Sequence, residues 1–178
     1  MQFKSPEHLL AWTFETLATP IVKTSRADLR EESGGCGAPP DKLSHYDRHA
    51  QAAFVLRWIS TLPVAQKSVL FGLYDPALRQ SACISLATEV THRFGMHAAA
   101  YAVRMWITPQ RQAGKPVGTE RGLANVAGTS PATARRYKTA VWDELDQLRL
   151  QALAAVGRQF VDLIGELEPV DEEEMVVA

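Results

Sequence analysis

Residues 119–145 read TERGLANVAGTSPATARRYKTAVWDEL, and they spell two helices joined by a tight turn. Leu123 and Ala124 share one face of a short helix that Ala127 closes. Gly128 follows, the residue type that turns a chain at positive φ with least steric cost. Ser130 is a strong N-cap, and Pro131 falls at the first helical position, where its missing N–H is harmless. The second helix opens with the small residues Ala132, Thr133 and Ala134 and then presents Arg135, Arg136 and Lys138, with Thr139 beside them. A slim helix start followed by cations suits an element that enters a DNA major groove.

Working outward, the second helix continues well past the turn. Tyr137, Val141, Leu145, Leu148, Ala152, Val156, Phe160, Leu163 and Leu167 recur at spacings of three or four, a sustained helical stripe. Upstream, Thr108 to Gly118 carries Pro109, Gly114 and Pro116 and reads as a linker. Before it, Ser5-Pro6-Glu7 starts a helix to about Ala18, and Ser44 or Asp41 caps another that reaches Thr61. Pro63 precedes a short helix over Val64–Gly72, Asp75-Pro76 opens one to Phe94, and an alanine-rich helix spans His97–Ile107. Alanine permits close approach of a neighbour, so this last helix is expected at the centre. Lys23 to Lys42 is polar and rich in Gly and Pro and reads as a loop. No segment alternates like a strand, so the predicted fold is all-α. It divides into a helical body (1–107), a linker (108–118), a helix-turn-helix (119–145), its helical continuation (146–167) and an acidic tail (168–178).

The bulk numbers narrow the function. A chain of 178 residues with 46% hydrophobic residues can bury a core of its own. No uncharged apolar run is long enough to span a bilayer, and MQFKSPEH has no apolar signal core, so the cytoplasm is the expected location and no membrane the expected partner. The net charge of −1 conceals a segregation. Arg104 to Lys138 holds seven basic residues against the single acid Glu120, whereas Glu166 onward holds six acids and no base. The basic part suits phosphate, and the tail suits a solvated end that discourages non-specific nucleic-acid binding. Ser130, Ala132, Thr133, Arg135, Arg136, Lys138 and Thr139, with Arg121 and Lys115 flanking them, are the candidate DNA-contacting residues. Arg suits guanine or phosphate through its bidentate fork, and Lys138 suits a positioning phosphate contact.

Other chemistry is sparse. Cys36 and Cys83 are the only cysteines, too few for a disulfide framework. His45 and His49 are spaced i, i+4, but no Cys-x-x-Cys accompanies them, and they read as helix-surface residues with no metal. Gly34-Gly35-Cys36-Gly37 lacks the lysine of a phosphate loop, and neither a nucleophile elbow nor a dinucleotide fingerprint is present. No cofactor is expected, and the chain does not read as an enzyme. Trp12, Trp58, Trp106 and Trp142 fall on apolar helix faces and read as core.

Two regions resemble the small helical antitermination proteins of phages and prophages, the lambdoid Q-type group and the AlpA-like bacterial antiterminators. One is LPVAQKSVLFGLYDPALRQ (Leu62 to Gln80); the other is the helix-turn-helix with Leu123, Ala124, Ala127, Gly128, Ser130, Thr133 and Arg136. The second pattern is shared with many regulators, including the promoter-reading domain of sigma factors. The paired cysteines of zinc-bearing members are missing here. The resemblance implies a protein that binds double-stranded DNA near a promoter, engages RNA polymerase and its sigma factor, and permits read-through of terminators. The residues themselves leave two alternatives open: a promoter or operator regulator, and a helical assembly protein in which Tyr137–Leu167 mediates homo-oligomer formation.

Overall fold

The computed structural model describes residues 2–19, 44–90, 93–108 and 118–164. Among them the chain forms seven helices and no strand: α1 (Pro6–Ala18), α2 (His45–Ile59), α3 (Val64–Tyr74), α4 (Arg79–Glu89), α5 (Gly95–Ile107), α6 (Glu120–Ala127) and α7 (Pro131–Gln159). The fold is all-α, a helical body with a long C-terminal helix. No helix among the described residues is long and apolar enough to cross a membrane. The loop at 23–42, most of the linker, Lys115, Cys36 and the acidic tail lie outside the described residues.

Local chemistry sets the helix starts. Ser5 accepts a hydrogen bond from the His8 amide at 3.2 Å with Pro6 behind it, and Ser44 does the same for Asp47 at 3.2 Å. These caps satisfy amides that have no partner inside the helix. Asp75-Pro76 behaves differently from its sequence signal. The Asp75 carboxylate accepts from the amides of Ala77 and Leu78, at 2.9 and 3.3 Å, and holds a turn. The helix expected from Asp75 to Phe94 therefore begins at Arg79 and ends at Glu89.

The 29-residue α7 is the spine. At ~1.5 Å per residue it is about 43 Å long. Its first half enters a core built from Val69, Leu86, Val103, Trp106, Leu123, Tyr137, Val141 and Leu145. Its second half enters another, with Phe3, Leu9, Leu10, Val55, Ile59, Leu70, Ala152, Val156 and Phe160. Each fully buried Leu, Ile or Val contributes about 1.5–3 kcal/mol to holding these elements together. Neighbouring residues of α3, Val69 and Leu70, serve one core each, so α3 straddles them. The alanine-rich α5 packs on α4, α6 and α7, with Ala98, Ala99 and Ala102 fully buried. At the far end of the spine the Phe3 amide donates to the Leu163 carbonyl at 2.8 Å, an isolated parallel bridge that clasps the segment after α7.

Candidate nucleic-acid interface

Backbone hydrogen bonds define the turn between α6 and α7. Thr119 caps α6, its hydroxyl accepting from the Gly122 amide at 3.0 Å. At the other end Gly128 takes φ +60° and ψ 37°, a left-handed conformation that a Cβ would strain. The Thr129 amide donates to the Ala124 carbonyl at 3.0 Å, and the Gly128 amide to the Asn125 carbonyl at 3.3 Å. This pair of bonds is the Schellman arrangement, which stops a helix and reverses its direction. Ser130 then caps α7: its hydroxyl accepts from the Thr133 amide at 3.3 Å, and Pro131 occupies the first turn.

α5 supports the pair as a third helix. Leu123 and Ala124 of α6, and Ala134, Tyr137, Val141 and Leu145 of α7, bury against Ala98, Ala102, Val103 and Trp106 of α5. Two tryptophans fasten α5 to α7 reciprocally. Trp142 Nε1 donates to the Ala102 carbonyl at 3.2 Å, and Trp106 Nε1 donates to Asp146 Oδ1 at 3.1 Å. α6 is seated just as closely. The Thr119 amide donates to the Tyr101 hydroxyl at 3.2 Å, and a Cβ at Gly122 would lie 2.2 Å from that hydroxyl. The core of the helix-turn-helix thus runs on into α3, α4 and α5.

With Ala134, Tyr137 and Val141 turned inward, the 100° step of the helix puts Ala132, Arg135, Arg136 and Thr139 on the opposite face. All four are exposed, as are Ser130 and Pro131, whereas Thr133 is half-buried against the cap. Arg121 is exposed near the start of α6. The first turn of α7 contains no acid, so the positive end of its dipole is uncompensated, and the two arginines add to it. Among the described residues neither arginine forms an ion pair. Beyond Thr139 the sign reverses at Asp143 and Asp146.

Lys138 is placed differently from its sequence role as a phosphate contact. It pairs with Glu120 across α6 and α7, and its ammonium lies 4.9 Å from the Trp142 ring centroid. Only 17% of its side chain is exposed. The hydrogen bond from Lys138 holds the Glu120 carboxyl below its usual range, with the charges of Lys138 and Arg135 acting in the same direction. Lys138 braces the two helices.

Arg93, which was not a sequence candidate, lies just before α5 and reaches this helix pair only through an aromatic contact. Its guanidinium sits 5.5 Å from the Phe94 ring centroid, and that ring meets Tyr137 edge-on at 5.2 Å. The residues just before α5 thereby pack on Tyr137, on the core-facing side of α7, with Arg93 exposed next to them. No local charge cluster marked it, and the Phe94–Tyr137 contact spans two elements distant in sequence. No protein-family model matches this chain, and no curated protein matches it either.

Proposed function

We propose that this protein binds double-stranded DNA through α6 and α7 and acts in transcription regulation, in the antitermination class that the sequence resemblance implies. One observation carries the DNA reading: a tight helix-turn-helix whose second helix presents Ala132, Arg135, Arg136 and Thr139 together on an open face. Ala132 and Pro131 allow the helix end to come close to base edges, and the arginines supply bidentate donors for guanine or phosphate. Arg121, exposed near the start of α6, suits a backbone phosphate, a contact that sets register without reading sequence. Asp143 limits the contact to the first three turns of α7, because its carboxylate would face phosphate. The chain beyond that point is left to hold the body together or to meet RNA polymerase.

Selection of duplexes from a randomised DNA pool, followed by fluorescence anisotropy, tests the binding. Arg135→Ala with Arg136→Ala is expected to weaken the selected site by about 10–100-fold, since a good bidentate contact is worth ~1–3 kcal/mol. Circular dichroism should stay unchanged. Equal affinity in wild type and double variant would remove this face as the contact. In vitro transcription on a template carrying the selected site upstream of a terminator tests the regulatory class. Site-dependent read-through marks an antiterminator, and a change confined to initiation marks a promoter regulator.

A further inference from the structure

Two further arginines, Arg79 and Arg104, line a cleft formed by α4 and α5 rather than by α6 and α7. This cleft of about 510 Å³ opens between α4 and α5, a size within the range of small-ligand sites. Ile84 and Ile107 give it apolar walls, and Arg79 and Arg104 line it as well. No carboxylate lines it among the described residues. Arg79 is held in place by its Nε, which donates to the Gly72 carbonyl at 3.2 Å. Its other guanidinium nitrogens, and the whole guanidinium of Arg104, make no hydrogen bond or ion pair with a described residue. A singly bonded arginine and one with no described partner, set beside apolar side chains, form an arrangement that internal packing does not require. Cys83 adds a thiol at the wall, bonded to the Ala100 carbonyl at 3.5 Å, with burial pushing its pKa up and Arg104 opposing that shift.

We infer that the α4–α5 cleft binds a small amphipathic organic anion, its acidic group held by Arg79 and Arg104 and its apolar body against Ile84 and Ile107. Guanidinium groups recognise a carboxylate, sulfonate or phosphate through charge-assisted bonds, and the apolar walls favour an anion that carries an apolar body over a bare inorganic ion. Arg104 and Ile107 flank Trp106, which bonds Asp146 of α7, so an occupant lies one helix from the DNA-facing element. The binding inference stands apart from the DNA reading.

Anilinonaphthalene sulfonate is a suitable probe, with phenylnaphthylamine as its neutral counterpart. Fluorescence titration should show one saturable site on the full chain. Arg104→Gln, at an exposed position with no described partner, should weaken it at least about tenfold, and Arg104→Lys should recover part of the loss. Bound probe should also slow alkylation of Cys83 by iodoacetamide in a Cys36→Ser background. The inference fails if Arg104→Gln leaves the affinity unchanged, if the neutral compound binds as tightly, or if saturating probe leaves Cys83 reactivity unaltered. A loss of duplex-DNA affinity in Arg104→Gln, without loss of probe binding, would assign Arg104 to the nucleic-acid surface and overturn it as well.

Discussion

Lys138 and Gly122 show how much single positions carry. The bond from Lys138 lowers the folded-state pKa of Glu120, so its contribution is present above the ordinary glutamate range and is lost as the pH falls through the lowered value. Urea unfolding is therefore expected to show a smaller loss of stability on acidification in Glu120→Gln than in wild type. The charge side of this pair was readable from the sequence, but its use was not. Glu120 lies 18 positions before Lys138, and only the turn at Gly128 brings the two together. Gly122 was equally silent in the sequence, because its small size answers to Tyr101 on another helix. Gly122→Ala is expected to cost about 1–3 kcal/mol through overpacking. Combined with Tyr101→Phe, which removes the clashing hydroxyl, the total loss in denaturant titrations should be smaller than the sum of the single losses.

At the level of the element, cap chemistry was the most legible signal. Ser5-Pro6 and Ser130-Pro131 both act as helix starts, and Gly128 is the left-handed stop. Asp75-Pro76 carries the same letters and makes a turn, since an aspartate can bond amides two or three residues on without a helix following. The difference lies in what packs next, which a local motif does not contain. Replacing Gly128 tests the turn itself. Gly128→Ala should destabilise the protein by about 1–2 kcal/mol, the cost of a left-handed L-residue, and Gly128→Asn by less. Thermal unfolding with far-UV detection measures both. Anisotropy on the selected DNA should show a parallel weakening, because the turn sets how α6 and α7 meet. The outward arginines were legible because they sit beside the motif; the Phe94–Tyr137 contact next to Arg93 was not, because it joins residues far apart in the chain.

For the whole molecule, the apolar stripe of α7 announced a long helix, but not that it would serve two cores. Stripe residues look alike along the chain, and only the partners from α1, α2, α4, α5 and α6 distinguish one half from the other. Trp106 and Trp142 belong to the core under the helix-turn-helix, while Trp12 and Trp58 pack against the other. Fluorescence from either pair, with the other replaced by phenylalanine, should report the same urea midpoint, since one continuous helix couples the halves. Gln147→Pro places a break at an exposed position of that helix, at a cost of about 3 kcal/mol, and should split the midpoints. The Phe3–Leu163 clasp has a further consequence, in the order of assembly. The core beneath the helix-turn-helix draws on residues between Val69 and Leu145, whereas the clasped core joins Phe3 to Leu70 with Ala152 to Ile164. Pairings so remote along the chain close slowly. During synthesis the half that contains α6 and the start of α7 can condense first, while α1 and α2 wait for the segment that seals them.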